Sequence, residues 1–425
     1  MAVWPLPRIT FRELSSIEET RPVALLTTDD VWAVLSSHLN LPVMIQAEPA
    51  RHSRTLFDYL AENLPSQIGV IYAVGSGAAV EAGKYVASRN NIPLIIIPTA
   101  LDSAHMLLPS ALIEDQEDGR TIREWKETGP ATEIIIDWGI IQGAPDAARG
   151  AGIVDVLATV TGLLDWRYAA QKGKNRREER FTPWAAGVAA DLAKQAIKSS
   201  AAIGQGNRDA LQTLLHLMMT LVQLSNELEH TRVQQGGEHF LAEIIAAATS
   251  YATDGGSLSH AERVGPCLLF ISALHGQDPT ALRDAMANAG VPLDRIRATD
   301  FNLVLGRLET HLAAHGFPYS ILNDLDIDSE QVKQALEAAD LAIPAETWEL
   351  PAETIPSLAD ASIEAPHEAK YAPVPPSTEA QATGAPAEAV TDDDASDEVS
   401  DEASDDEEEE QDTRPAVDTE NLSGV

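Results

Sequence analysis

Between about residue 22 and residue 148 the chain alternates short, uninterrupted apolar runs with stretches of helical spacing, and this alternation restricts its fold more than any other feature. Val23 to Leu26 precedes a helix-like stretch through Trp32 and Leu35, and Val43 with Ile45 marks a second run. Ile68 to Val74 (IGVIYAV), Leu94 to Ile97 (LIII) and Ile134 to Ile136 complete the series. Runs without polar alternation suit strands covered on both faces, and strand–helix alternation predicts a parallel, doubly wound sheet. From Gly152 onward the pattern changes. Asp191 to Ile203, Arg208 to Leu228 and Leu241 to Tyr251 are rich in Ala, Leu, Met and Gln at helical spacing, which predicts helices. The expected organisation is a nucleotide-binding type of α/β domain over residues 1–148 and an all-α domain over residues 149–343, joined near Gly143 to Gly152.

Charge separates a third segment. The chain carries 66 acids and 29 bases. From Pro344 onward there are 24 acids and only two bases, Lys370 and Arg414, so 42 acids and 27 bases precede it. Residues 344–425 hold hardly any large apolar side chain, and such a composition cannot offset the entropy of ordering, so the segment is expected to be a disordered acidic tail. The net charge of −37 excludes a basic nucleic-acid footprint. The single cysteine, Cys267, excludes an intramolecular disulfide, fits a reducing compartment, and has the apolar neighbours of an inert buried thiol. No stretch reaches the roughly 20 apolar residues of a membrane helix, and the N-terminus lacks the pattern of a signal peptide. The expected address is the cytoplasm, with no membrane partner.

Two loops could bind a nucleotide. The strand IGVIYAV runs into Gly75, Ser76 and Gly77 and then into a helix, where glycines let backbone amides approach a phosphate and the helix N-terminus favours its charge. The usual three-glycine dinucleotide fingerprint is absent, since Val80 stands near the third position. The next strand ends in Pro98 and Thr99, at the end of a parallel sheet that faces a ligand crevice; Thr99 could bond a cofactor or cap the following segment.

The helical half offers Asp155, His239 and His260. Two imidazoles and one carboxylate can bind a divalent ion while leaving positions open for substrate, although histidines at helix starts also serve as capped structural residues. Asp165 is a further acid, but ten residues along a helix turn it roughly 80° away from Asp155.

Taken in order, these motifs resemble the metal-dependent (iron-containing) alcohol dehydrogenase superfamily that also holds 3-dehydroquinate synthase and glycerol dehydrogenase, and most nearly its glycerol-1-phosphate dehydrogenase branch. The matching residues are Gly75, Ser76, Gly77, Glu81 and Lys84; Pro98, Thr99 and Ala100; Ala151, Gly152 and Asp155; Asp165 and Trp166; Arg232, Glu238 and His239; and His260, Glu262, Val264 and Gly265. The resemblance covers about residues 20 to 320.

It implies a Rossmann-like domain that holds NAD or NADP through Gly75, Ser76, Gly77, Glu81 and Thr99. It also implies a dehydroquinate synthase-like helical domain that holds one zinc or iron ion through Asp155, His239 and His260. The implied activity is oxidation or reduction of a small polyol, or of its phosphate, at a CH–OH group. Glu238 and Glu262 could orient the imidazoles or could merely sit at helix ends. The family's substrate-contacting acid falls on Ala104 here, so Asp102 or His105, with Lys84, are the candidates for proton relay. Arg123, Lys126, Arg149 and Arg232 are candidates for a phosphate contact, each with an ordinary salt-bridging role as the alternative. Asp155 favours a dehydrogenase over a synthase-like enzyme, whose carboxylate ligand is Glu. A catalytically degenerate scaffold acting through its tail is the third reading. The expected partner is a small molecule, phosphorylated or not, and the expected assembly a homo-oligomer.

Overall fold

The computed structural model describes residues 4–117, 120–249 and 258–343. The expected acidic tail, residues 344–425, lies outside the described residues. Six parallel strands form the main sheet: β1 (Arg8–Phe11), β2 (Val23–Leu26), β3 (Val43–Ala47), β4 (Val70–Gly75), β5 (Leu94–Pro98) and β8 (Glu133–Ile136), in the order β1-β8-β5-β4-β2-β3. Helices α1 (Asp29–Leu35), α2 (Arg54–Glu62) and α3 (Ala78–Asn90) connect β2 to β3, β3 to β4 and β4 to β5.

The apolar runs are strands because both faces of the sheet are covered. Val23, Leu25, Val70, Tyr72, Val74, Ile95, Ile97 and Ile135 bury one face with Val31 and Trp32 of α1. Alternate residues Ala24, Leu26, Ile71, Ala73, Ile96, Ile134 and Ile136 bury the other, in a core that continues into the helical half. A side chain on Gly83 of α3 would come 2.8 Å from the Ala73 Cβ, so glycine there lets the helix lie close on β4.

Two elements escape the reading of apolar runs. β1 contains only four residues and pairs with β8 through Arg8, Thr10 and Arg12, all bonded to the Glu133 carboxylate. β6 (Ser110–Glu117) and β7 (Arg120–Glu127) form an antiparallel hairpin whose alternating charges look like a loop in sequence. Arg54 of α2 ties the hairpin to the sheet through Asp115 and Glu124.

After β8 the described chain is helical. α4 (Trp138–Gly143), α5 (Asp146–Arg149), α6 (Ile153–Leu157) and α7 (Thr159–Gln171) lead to the long pair α8 (Pro183–Gly204) and α9 (Arg208–Leu228). α10 (Gly237–Thr249) and α11 (His260–Leu274) pack together, followed by α12 (Thr280–Asn288), α13 (Ala298–Leu305), α14 (Leu308–His315) and α15 (Glu330–Ala338). Cys267 lies fully buried in α11, where burial pushes its thiol far above the usual range, as an inert thiol requires. Among the described residues no helix is long and apolar enough to cross a membrane.

Candidate functional site

The order of the strands reverses between β2 and β4, and in open α/β sheets ligands bind beyond the carboxyl ends of strands at such a point. β4 ends there at Gly75, paired in register with Pro98 of β5, so the Gly75–Ser76–Gly77 and Pro98–Thr99 loops are neighbours. Gly75 has φ +126° and Gly77 φ +54°, conformations that favour glycine. A side chain at Gly77 would meet nothing within 4 Å, and no side chain caps the first turn of α3. The free amides at this helix start fit a pyrophosphate.

The other two residues of this motif lie elsewhere. The Glu81 and Lys84 side chains pair at 2.8 Å and are only 2% and 0% exposed. Lys84 Nζ also donates to the carbonyls of His105 (3.0 Å) and Ser110 (2.5 Å), while Glu81 accepts from the Leu112 amide at 3.0 Å. With three acceptors around three N–H donors, Lys84 has none left for substrate. Burial lowers the Lys84 pKa and raises that of Glu81, and each partner opposes the other's shift. The pair ties the loop carrying His105 to α3.

Asp155, His239 and His260 come from α6, the first turn of α10 and the first residue of α11, and one ligand atom from each lies within 4.8 Å of the others. His260 Nε2 is 2.6 Å, and His239 Nε2 3.7 Å, from Asp155 Oδ1. Asp155 Oδ2 is taken by the Ala104 amide at 2.6 Å, which leaves Oδ1 facing the imidazoles. Glu238 Oε1 sits 2.9 Å from His239 Nδ1 and also accepts from the Gly236 amide at 2.7 Å, so it fixes the ring with Nε2 toward Asp155. Glu262 is a helix-end residue: it forms a capping box with Ser259 and pairs with Arg295. Two imidazole nitrogens and one carboxylate oxygen in a half-buried corner form a donor set that fits zinc or ferrous iron.

The charges match that geometry. Burial works against ionised Asp155, but His260, His239 and His105 outweigh it and hold the carboxyl well below its usual range. Burial also disfavours charged His239, yet Asp155 and Glu238 lift it to about 9. His105 packs against His260 (4.6 Å between ring centroids) and Trp125 (4.8 Å), and burial, then the His260 charge, holds it well below 6.5. Asp102 is raised to about 6 by burial and by the Asp155 charge, against a lowering hydrogen bond from Ser76.

Asp165 stands apart from the triad. Its carboxylate accepts from the amides of Gly237 (2.7 Å) and Ile321 (2.8 Å) and lies 3.0 Å from His275 Nε2. It therefore pins the start of α10, two residues before His239. Trp166 is fully buried, bonded to the Glu179 carbonyl at 2.7 Å, and does not line the cleft beside Asp155 and His239. That cleft is walled instead by Ala104, His105, Leu108 and two residues that no motif singles out, Gln234 and Gln235.

Residues 19–145 match the family model for iron-containing alcohol dehydrogenase. The chain is 28% identical over 246 residues to the glycerol-1-phosphate dehydrogenase [NAD(P)+] of Methanothrix thermoacetophila, covering 58% of this chain and 64% of that protein. It is 27% identical to the namesake from Hyperthermus butylicus, covering 53% of this chain and 60% of that protein. The chain thus spans somewhat less than two thirds of these relatives. Among solved structures, glycerol dehydrogenase from Schizosaccharomyces pombe superposes with a TM-score of 0.56 at 18% identity, over 80% of this chain and 90% of that one. Sulfoacetaldehyde reductase from Bifidobacterium kashiwanohense, solved in complex with NAD+, gives a TM-score of 0.56 at 14% identity, over 80% and 98%. The match over residues 19–145 and these relatives make the chain similar to the iron-containing alcohol dehydrogenases and to the glycerol-1-phosphate dehydrogenases, and the solved structures show a shared fold.

Proposed function

We propose that this protein is an NAD(P)-dependent, metal-dependent dehydrogenase of a small polyol or polyol phosphate. The observation that carries the reading is the gathering of Asp155, His239 and His260, with one ligand atom of each within 4.8 Å of the others. Residues 1–148 act as the nucleotide domain, with Gly75, Ser76, Gly77 and Thr99 at the cofactor. Residues 149–343 act as the metal domain, with Asp155, His239 and His260 as ligands. The names of the relatives support NAD or NADP as cofactor, and the single cysteine supports a cytoplasmic enzyme. A homo-oligomer is the proposed assembly.

When bound, a divalent ion supplies Lewis acidity toward a substrate oxygen, and a nicotinamide supplies a hydride acceptor. The chain's own residues do the rest. Gly75 and Gly77 let the backbone approach the pyrophosphate, Glu238 orients His239, and the Lys84–Glu81 pair holds the loop that presents Asp102 and His105. Asp102, with a pKa of about 6, is ionised at neutral pH and can take the substrate's hydroxyl proton in place of the acid missing at Ala104.

The test is cofactor oxidation, followed by absorbance, with zinc- or iron-loaded protein and a panel running from dihydroxyacetone to its phosphate. Turnover is expected in the wild type and absent in His260→Ala. In the alcohol-oxidising direction the rate should fall as pH drops through about 6, where Asp102 protonates, and Asp102→Asn should lose that limb. No turnover across the panel by fully loaded protein would sink the reading.

A further inference from the structure

A small polyol and its phosphate make different demands on the cleft beside the triad, and its walls distinguish them. A phosphate monoester needs guanidinium, ammonium or clustered amide donors. None of Ala104, His105, Leu108, Gln234 and Gln235 supplies a permanent positive charge.

Among the described residues no arginine or lysine lines that cleft. Arg123 pairs with Glu114 at 3.1 Å and Glu243 at 2.9 Å. Arg149 pairs with Asp146 at 2.7 Å and bonds the Ala144 and Gly204 carbonyls. Arg232 is buried and reaches the carbonyls of Asp165 and Tyr319. Trp125 packs on His105, so Lys126, the next residue of β7, projects from the opposite face. Arg263, one turn beyond His260, bonds the Leu258 carbonyl and lies among Arg123, Glu243, Glu114 and Glu262. Residues 250–257, which are not described, contain no Lys or Arg.

Two carboxamides have the opposite character. Gln234 is 6% exposed and Gln235 half-buried, and both line the cleft beside Asp155 and His239. Their backbone amides both bond the Thr231 carbonyl, at 3.0 and 2.9 Å, which fixes the turn that carries them beside His239. A carboxamide at a cleft wall offers both donors and an acceptor to a ligand, and its neutral groups match hydroxyls.

We infer that Gln234 and Gln235 read the hydroxyl groups of an uncharged polyol or its keto form, and that the site selects this class over the phosphate monoester. The inference rests on the dehydrogenase reading for its chemistry, but ligand selection can be judged without turnover.

The experiment uses the full chain loaded with zinc or iron, with dihydroxyacetone and dihydroxyacetone phosphate as paired probes. The expected kcat/KM is at least about tenfold higher for the uncharged compound, because an unpaired phosphate loses more than a missing contact. Gln235→Ala should raise KM for dihydroxyacetone by about tenfold with a much smaller change in kcat and unchanged metal content, the signature of lost substrate binding. Gln235→Lys should narrow or reverse the preference. Higher kcat/KM for the phosphate in the wild type overturns the inference, and that comparison needs no variant to fold. If neither compound turns over, thermal shifts with the same two probes decide. Stabilisation by dihydroxyacetone alone upholds the selectivity while sinking the dehydrogenase reading, whereas stabilisation by the phosphate, or by neither, overturns the selectivity as well.

Discussion

The two halves of the proposed active site are built from different materials. The nucleotide side is made of backbone: Gly75 and Gly77 at strand and helix ends, with open space over Gly77 and amides that await an anion. The metal side is made of side chains from three separated elements, and a buried polar frame holds them: Glu238 against His239, the Ala104 amide against Asp155, and Asp165 beneath Gly237. A backbone site depends on conformation, so most neighbouring substitutions leave it intact. A side-chain site depends on compensated burial, and the loss of one partner propagates.

Lys84 tests how separate the halves are, because it belongs to α3 behind the glycine loop yet holds the His105 carbonyl beside the triad. Lys84→Met removes the counter-charge of Glu81, whose side chain is 2% exposed. Breaking a buried pair in this way costs about 3–5 kcal/mol, the largest effect expected here. Urea unfolding should register it, and the double variant Lys84→Met with Glu81→Gln should recover a large part, since no uncompensated charge then remains. A loss below about 1 kcal/mol in the single variant would mean that the pair is solvated and does not join the halves.

Glu238 tests the metal side alone. Glu238→Gln keeps the shape but weakens the acceptor facing His239 Nδ1, and outer partners of metal ligands typically contribute about 10- to 100-fold in affinity. Competition with a chelator should show that loss at little change in fold. Nucleotide binding should stay as it was, which would mark the frame as local to one half. Equal loss of both ligands would show that the halves respond as one.

What the sequence disclosed follows the same division. The buried strands were legible because both of their faces are apolar, and the turn at Gly75, Ser76 and Gly77 because it stands between a strand and a helix. The β6–β7 hairpin was not, since the charges of SALIEDQE and RTIREWKE find partners far away in the chain, Asp115 and Glu124 with Arg54 and Arg123 with Glu243. The triad was legible through the order of its motifs and not through spacing, as Asp155 and His260 are 105 residues apart. Asp165 kept its role hidden because its partners Gly237, His275 and Ile321 lie 72, 110 and 156 residues away. Ala104 acts through its amide, which no side-chain motif records. A motif marks position in the chain and so assigns Lys84 to catalysis and Glu81 to the cofactor, while their burial depends on β6 folding over α3.

The smallest effect should come from the backbone side. Gly77→Ala introduces a Cβ that meets nothing within 4 Å, so packing does not oppose it and only the φ of +54° does. With ψ at −128° the residue lies outside the left-handed helical well, in a conformation that costs an L-residue about 1–3 kcal/mol, and the expected loss of folding stability is of that size. If the turn relaxes to escape the strain, the amides of the first turn of α3 shift, and nucleotide affinity should fall by more than stability does. Metal content should remain at the wild-type level. Thermal unfolding with and without NADH separates the two outcomes: a smaller nucleotide-induced shift than in the wild type locates the cofactor at this loop, whereas an undiminished shift places the pyrophosphate elsewhere along the strand ends.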